Sequence, residues 1–540
     1  MIRSSRPHAA VSIGVVATVA ALALSVAATP TDAALAGARA STPTLERQAG
    51  FDPAAFADPP SDSRPSVYWY WTGTVTPEVV DTQMAELRDK GIYEAVLFPY
   101  GSAGMKPAYF TEAWFDIVEH VLREAQRTGM RIWLFNDSNF PSGKAGGIIA
   151  NGGTVGDTTY EPSPELRLKA LQRSTRVVEG PATIDPHETS GLSVAEGRLV
   201  VEAAIREGAH PLVAGEGWTD YSVSGKVRLT ASGAQLVVRS SKDGTRGYLI
   251  DVDVKGRASV WRLDGEQRTR LTTGVPAPGF HPRSEQTITV TVAGNTIKPV
   301  VNKTVQPTAV DATYTAGAPA VSAEYGGVGV QDAVEGLQRV TWNNLAVTGP
   351  AGGELWASTF DSGADVEAFG GPLVRLDDAV AAAARPVGSG DATDLVELTP
   401  DLQTGAWSVP RGRWQVDTYG KAILTDDSSG YHRGYLDLLD PVATDRLFEV
   451  AQGEYVRRFG WAMGTVVPGF WDDEPFISSA EPWPFKRLPW SASLDALVKE
   501  AGSTPGVAYT AAFDDLGRRG AWPKRRCGRG WSASPRRSRR

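Results

Sequence analysis

Apolar segments alternate with amphipathic segments in two separate parts of this chain. Residues 66–71 (SVYWYW), 93–101 (YEAVLFPYG) and 130–137 (MRIWLFND) are rich in aromatic and aliphatic side chains and predict three buried strands. Residues 76–91 and 112–129 lie between these strands and carry apolar positions at helical spacing. Strands separated by crossover helices predict parallel βαβ units.

The pattern changes after about residue 205. From 217 to 348, short segments of alternating apolar and polar residues follow one another between turns, which predicts a β-sandwich. Residues 350–425 contain further short strands. A helix at 440–460 and a strand at 465–475 then restore the α/β rhythm. The sandwich is therefore predicted to be inserted within an α/β domain.

The N-terminus has the pattern of a secretory signal peptide. Arg3 and Arg6 precede the apolar run 11–28, and small residues follow at 34–36 (ALA). An uncleaved membrane anchor is the alternative, since the run could just span a bilayer. Its high alanine content favours export, with cleavage within 33–40 and no membrane association afterwards.

Composition and motifs exclude several classes of function. A net charge of −8 over 540 residues gives no reason to expect a nucleic-acid partner. The single cysteine, Cys527, excludes an intrachain disulfide and a Cys-rich zinc site. The chain has no GxSxG elbow, P-loop, strand-linked GxGxxG or HExxH pair. Serine-hydrolase, nucleotide-binding and zincin chemistry are therefore disfavoured.

Three adjacent acids mark the end of the predicted strand in segment 469–476 (GFWDDEPF). In an extended chain, Asp472 and Glu474 point to one face and Asp473 to the other. Pro475 favours an extended backbone at the residue before it. A solvated surface turn is the alternative. The flanking aromatic residues favour a pocket instead, because aromatic walls suit sugar rings and can raise the pKa of a carboxyl group.

Two further strands end in candidate binding residues. Asn136, Asp137 and Asn139 follow the third strand, and their short polar side chains could hydrogen-bond sugar hydroxyls. The alternative is a loop closed by Asx turns, and the spacing gives weak support for Ca²⁺. Trp69 and Trp71 alternate in the first strand and would lie at the mouth of a barrel, with core packing as the alternative.

Several segments together resemble family 106 glycoside hydrolases, which are of the α-L-rhamnosidase type. The resemblance covers roughly residues 60–200 and 395–490, and the region 217–348 is more generally similar to laminin-G/concanavalin-like sandwiches. The matching segments are RPSVYWYWTGTVTPEVVDTQMAELRDKGIYEAVLF, WLFNDSNFPSGKAGG, SVPRGRWQV, YLDLLDP and GFWDDEPF.

The resemblance implies a (β/α)8-type catalytic barrel that carries β-domains, hydrolysis of rhamnose-containing polysaccharides or glycosides with inversion, and a Ca²⁺ ion near the sugar; together with the N-terminal pattern, it predicts a secreted enzyme. It implies that Glu474 is a catalytic carboxylate, as acid or base, and that the second carboxylate lies beyond this strand. The metal ligands and the oligomeric state stay open. The substrate-binding residues predicted from the resemblance and the strand ends are Asn136, Asp137, Asp473, Trp69, Trp71 and Trp471.

The predicted fold class is α/β plus all-β, with a partial (β/α)8-type barrel interrupted by an inserted β-sandwich and a small β region. The boundaries are a signal peptide at 1–36, a linker at 37–65, the first barrel part at 66–205, an independently folding sandwich at 213–349, the small β region at 350–425, the barrel continuation at 426–516 and a basic tail at 517–540.

The C-terminal segment changes the functional expectation. After Asp515 the chain contains no acid, and residues 518–540 contain nine arginines. A basic tail and an out-of-frame translation both produce this composition. We expect a truncated family member to be inactive on aryl α-L-rhamnosides. The alternative from another class is a non-catalytic secreted carbohydrate-binding protein that uses the sandwich.

Overall fold

A computed structural model describes residues 53–519, apart from 102–103, 203–208, 230–232, 266, 282–283, 324–338, 372, 424–433 and 476–487. The predicted signal peptide and basic tail lie outside or almost outside the described residues. The α-helices are α1 (Pro53–Ala57), α2 (Pro77–Asp89), α3 (Glu112–Thr128), α4 (Ile148–Asn151), α5 (Thr399–Thr404), α6 (Pro441–Val450), α7 (Gln452–Phe459), α8 (Ala492–Glu500) and α9 (Pro505–Arg519).

The strands fall into sheets that do not follow chain order. Up to residue 211 they are β1 (Ser66–Trp71), β2 (Glu94–Pro99), β3 (Arg131–Phe135), β4 (Gly153–Val155), β5 (Thr158–Tyr160), β6 (Lys169–Ile184), β7 (Glu188–Thr189), β8 (Leu192–Val194), β9 (Leu199–Glu202) and β10 (His210–Pro211). From 221 to 310 they are β11 (Tyr221–Leu229), β12 (Ala234–Ser240), β13 (Arg246–Val252), β14 (Ala258–Asp264), β15 (Gln267–Arg270), β16 (Gln286–Ala293), β17 (Thr296–Val301), β18 (Thr304–Val305) and β19 (Ala309–Val310). The remainder are β20 (Ala318–Ala323), β21 (Arg339–Thr348), β22 (Glu354–Ser358), β23 (Val374–Arg375), β24 (Ala379–Pro386), β25 (Val396–Glu397), β26 (Trp407–Ile423), β27 (Phe470–Trp471) and β28 (Pro489–Trp490).

The α/β part is a four-stranded parallel sheet in the order β1-β2-β3-β27. Helix α2 begins where the Thr76 side chain accepts a hydrogen bond from the Val79 amide and Pro77 occupies the first turn. Helix α3 ends at Gly129, which has a left-handed φ of 71°. The βαβ prediction is confirmed. Within the described residues, however, the sheet stays open and no barrel is shown.

One face of this parallel sheet is covered by helices. Side chains from α2, α3, α6 and α7 pack with alternate strand residues into one apolar core. Helix α3 contributes Trp114, Phe115, Val118, Leu122 and two further buried side chains to this core. The other face of the sheet carries a separate apolar cluster that includes the buried Val96, Phe98 and Phe135.

The predicted sandwich is present and consists of a six-stranded and a nine-stranded sheet around one core. In β11, buried and half-buried residues alternate along the whole strand, as a sheet with one face in the core requires. The sandwich begins before the predicted residue 213, because β8 and β9 belong to it. Leu199 in β9 lies opposite Trp342 in β21. This pairing brings together residues 143 positions apart, which local patterning does not reveal.

A third, five-stranded sheet has the order β25-β24-β26-β6-β28. Strand β6 precedes the sandwich in sequence, and its partner β26 follows the sandwich. Strands from the predicted first barrel part (66–205) and from the predicted small β region (350–425) therefore share one sheet, which corrects the prediction that these regions are separate. Helix α9 packs on this sheet. Asp514 in α9 forms ion pairs with Arg173 and Arg385.

Among the described residues, no helix has the length and apolar character needed to cross a membrane.

Candidate functional site

The ends of β3 and β27 place an amide next to a carboxylate. These strands are parallel neighbours, with Phe135 opposite Trp471. The next residues, Asn136 and Asp472, therefore lie side by side where both strands end. The Asn136 side-chain amide donates a short hydrogen bond to Asp472 Oδ1. The structure thus brings Asn136 to the acidic segment, as the convergence of parallel strand ends predicts.

Asp137 lies under this site and holds the following loop. Its side chain is fully buried. Oδ2 accepts hydrogen bonds from the amides of Gly143 (3.1 Å), Lys144 (2.8 Å) and Ala145 (3.0 Å). Oδ1 accepts from the amides of Ser138 at 2.7 Å and Gly146 at 2.8 Å.

The buried Lys144 ammonium lies 3.4 Å from Asp137 Oδ1 and donates to two loop carbonyls. Both oxygens of Asp137 are therefore occupied by the protein. This arrangement does not support the predicted contact of Asp137 with a sugar and instead makes it the centre of the loop.

The same loop is hydrogen-bonded to the acidic segment 472–474. The Ser142 amide donates to the Asp473 carbonyl at 2.8 Å, and the Asp473 amide donates to Ser142 Oγ at 3.0 Å. Tyr435 packs against this loop, and its hydroxyl donates to the Ser142 carbonyl. Gly143 is needed here because a Cβ atom would lie 2.5 Å from the Tyr435 ring and φ is +130°. The loop that Asp137 holds is thus hydrogen-bonded to the backbone of Asp473.

The three acids differ in environment. Asp472 remains open to solvent on one side, yet partial burial raises its pKa; hydrogen bonding from Asn136 opposes this shift and the charge of Asp137 adds to it. Burial also raises the pKa of Asp473, with a further contribution from Glu474.

Glu474 is exposed and has a left-handed φ of 49°. The predicted extended backbone at this residue is therefore wrong, because β27 ends at Trp471 and the chain turns before Pro475. Glu474 and Asp472 cannot be assigned to one strand face by simple alternation. A left-handed non-glycine residue is conformationally costly, and such residues are concentrated at functional sites.

An aromatic wall stands beside the acids. Tyr68 and Tyr70 in β1 lie on the face of the sheet opposite the helices, and they are 41% and 51% exposed. The Tyr68 ring meets Trp471 edge to face at 5.5 Å between centroids, and Tyr70 packs on Phe98 at 4.8 Å. Burial and the nearby Asp473 carboxylate raise the pKa of Tyr68. Trp471, one of the predicted substrate-binding residues, belongs to this aromatic wall.

Trp69 and Trp71 are on the other side of β1. They are 7% and 1% exposed and belong to the core beneath the helices. The Trp69 indole donates to Gln83 in α2 at 2.7 Å. Their burial does not support the predicted sugar contacts and matches the core-packing alternative. The sequence reasoning missed Tyr68 and Tyr70; the same alternation, read in the opposite phase, would have found them.

The Ca²⁺ ion that the resemblance implies was sought among the acidic and histidine side chains of the described residues. No group of three or more His, Cys, Asp or Glu side chains in this part of the chain is arranged to hold a metal ion. Asp137 uses both carboxylate oxygens on backbone amides. Ca²⁺ binding stays a prediction.

No protein-family model and no curated protein matches this sequence. Among solved structures, carbohydrate binding module CBM66 from Bacillus subtilis is similar at 10% identity and a TM-score of 0.20, over 33% of this chain and 96% of that one. Sheep galectin-11 is similar at 12% identity and a TM-score of 0.18, over 24% and 92% of the two chains. Sucrose-6-phosphate hydrolase from Lactobacillus gasseri is similar at 10% identity and a TM-score of 0.17, over 26% and 27%. These TM-scores are too low to support a functional argument.

Proposed function

We propose that this chain is a secreted carbohydrate-active protein of the glycoside-hydrolase type that binds sugar at the carboxyl edge of the parallel sheet. The observation that carries the proposal is the Asn136–Asp472 pair, which lies beside an exposed aromatic wall. Export is proposed from the N-terminal pattern alone. The finer proposal, an inverting α-L-rhamnosidase type, rests on the sequence resemblance.

The chemistry of these side chains suits a pyranose ring. Amide and carboxylate groups hydrogen-bond adjacent hydroxyls, and the Tyr68 and Tyr70 rings can pack on the apolar face of the sugar. The raised pKa of Asp472 keeps this carboxyl group protonated to a higher pH than an ordinary aspartate, which suits a general acid. Glu474 is the catalytic carboxylate implied by the resemblance.

Hydrolysis makes a further demand on this site. Inversion requires two carboxyl groups about 6.5–9.5 Å apart on opposite sides of the sugar. Asp472, Asp473 and Glu474 all come from one strand end, and Asp137 is sequestered. Without another carboxylate, these residues can therefore bind and orient the sugar.

Binding is tested with methyl α-L-rhamnoside and the full chain by isothermal titration calorimetry. Tyr70→Ala should weaken binding by about 10- to 100-fold, because burying an aromatic side chain contributes about 1.5–3 kcal/mol. The matched control is Phe56→Ala, since Phe56 is 74% exposed and lies before the sheet. Equal affinity of the parent and Tyr70→Ala would disprove the proposed wall.

Catalysis is tested separately with an aryl α-L-rhamnoside. If the parent turns over, Glu474→Gln should lower kcat by about 10²–10⁴-fold, while Glu86→Gln on the exposed face of α2 should leave kcat unchanged. Turnover that survives Glu474→Gln would remove the catalytic role of Glu474. Binding without turnover would favour the non-catalytic alternative.

That alternative, a secreted carbohydrate-binding protein that uses the sandwich, is favoured by one observation. A groove with a volume of about 560 Å³ opens at one end of the sandwich, within the roughly 300–1,000 Å³ typical of ligand pockets.

A further inference from the structure

The groove at the end of the sandwich is built from four chain segments. A short turn after β10 forms one wall, the β12–β13 hairpin forms the opposite wall, and the start of β20 and a glycine pair after β22 complete it. Its lining combines an apolar floor with hydroxyl and charged groups. The lining residues are Pro211, Leu212, Val213, Glu216, Ser240, Ser241, Lys242, Asp243, Arg246, Ala318, Gly370 and Gly371.

Most of the charge in the groove is already matched within the protein. Asp243 Oδ1 accepts hydrogen bonds from the Ser241 hydroxyl at 2.5 Å and from the Thr245 amide and hydroxyl at 3.1 and 2.9 Å. These bonds lower the pKa of Asp243 and keep it ionised within the turn. Lys242 lies 4.0 Å from Glu216 across the groove. The Asp243 carboxylate is thus hydrogen-bonded within the hairpin, and the Glu216 carboxylate lies near Lys242.

Arg246 supplies a positive charge to the groove, and this charge contributes to the lowered pKa of the nearby Asp243. Its amide donates to Ser241 Oγ at 3.0 Å, and its carbonyl accepts from the Ser241 amide at 2.9 Å, so its backbone is fixed at the hairpin. Asp264 lies opposite Arg246 in the strand ladder. No ion pair within 4.0 Å joins the Arg246 guanidinium to a carboxylate in the described part of the chain.

We propose that this groove binds an acidic saccharide, with the sugar carboxylate on Arg246. A guanidinium group recognises a carboxylate through two parallel hydrogen bonds. Lys242 and Glu216 offer a donor and acceptors for ring hydroxyls, and the 61% exposed Val213 offers an apolar contact. The volume of about 560 Å³ is larger than a single inorganic anion needs, which favours a sugar ring over phosphate or sulfate. The proposal rests on the carbohydrate-binding role of the sandwich and is independent of catalysis.

The test uses trigalacturonate and the purified full chain in calorimetric titrations, with maltotriose as the neutral comparison. The parent should bind trigalacturonate, and Arg246→Met should weaken this binding at least about 10-fold, which corresponds to about 1.4 kcal/mol. Arg268→Met is the matched control, because Arg268 is exposed on the neighbouring edge strand β15. Circular dichroism establishes that each variant is folded.

Hydrogen–deuterium exchange locates the ligand. Trigalacturonate should slow exchange in 210–216 and 240–246, and leave 68–71 and 136–142 unchanged. Protection only in the latter segments would assign the acidic sugar to the α/β site and overturn the proposal. The proposal would also be overturned if the parent did not bind trigalacturonate, or if it bound maltotriose with equal affinity. It would equally be overturned if Arg246→Met bound trigalacturonate as tightly as the parent, or if equimolar sulfate competed fully.

Discussion

Replacing Asp137 by Asn separates a loop-holding role from a sugar-binding role. The substitution keeps the size of the side chain but removes its charge and turns one acceptor oxygen into a donor. Asp137 is fully buried and receives five backbone amide hydrogen bonds of 2.7–3.1 Å. Whichever way the new amide is oriented, at least two backbone donors lose their acceptor. The buried Lys144 ammonium also loses the carboxylate at 3.4 Å.

The size of the effect follows from the buried ion pair. Removing one partner of such a pair costs about 3–5 kcal/mol, and each hydrogen bond to a charged acceptor contributes about 1.5–3 kcal/mol. A free-energy loss of about 3–5 kcal/mol for closing the loop corresponds to about 10²- to 10⁴-fold faster amide exchange, since 1.4 kcal/mol is tenfold.

Hydrogen–deuterium exchange of a peptide covering 138–147 measures this loss directly. The control is Asp116→Asn on the exposed side of α3, which should change exchange in this peptide by less than about 0.5 kcal/mol. If Asp137→Asn leaves exchange within tenfold of the parent but lowers affinity for methyl α-L-rhamnoside, the loop-holding role is refuted and the sequence-based prediction of a sugar contact is restored.

Two further predictions concern pH and the sandwich boundary. Because the folded protein raises the pKa of Asp472, it retains a proton that the unfolded chain releases. The contribution of Asp472 to the unfolding free energy should therefore fall as pH rises from the ordinary aspartate pKa of 3.8 to the raised value, and then stay level. Because the pKa of Asp473 is raised as well, Asp472→Asn should make the unfolding free energy fall less with pH than in the parent, without abolishing the trend, in urea titrations from about pH 3.5 to about pH 6. A fragment covering 186–370 should give cooperative all-β unfolding by circular dichroism, whereas a fragment covering 213–349 should not. The shorter fragment lacks β8 and β9, whose three fully buried apolar side chains together contribute about 5–9 kcal/mol. Cooperative unfolding of the shorter fragment would show that these strands are dispensable.

Local signals explain which parts of the fold were predictable. Pro77 after Thr76 and Gly129 after α3 mark helix ends through bonds and dihedral angles confined to a few residues, and the structure has both features. The β-sandwich was predictable because strict alternation requires one buried face. The partners of β6 and β9 were not predictable, since pairing across the inserted sandwich depends on packing of surfaces far apart in sequence.

In the candidate site, some side-chain positions could be predicted from residue type and strand order, whereas others depend on the folded environment. The convergence of Asn136 and Asp472 follows from two parallel strands ending together. The function of Asp137 could not be derived from its sequence position, because five amides reach it only after the loop has folded. For β1, the alternation was correct but its phase was not: four adjacent aromatic residues fit either face, and the helices bury Trp69 and Trp71.

Strand β27 is very short, and neighbouring elements support the acidic segment that follows it. Strand β27 contains two residues, so its own ladder gives little rigidity. Before it, α6 and α7 are packed in the α/β core. After it, β28 pairs with β6, where Trp490 lies opposite Lys169. The acidic segment is also joined to the Asp137 loop through Ser142. Its position is thus supported by the packed helices that precede it and, from the side, by the hydrogen bonds to Ser142. The sandwich leaves and re-enters between the paired strands β6 and β26, so its insertion leaves the pairing of these two strands intact.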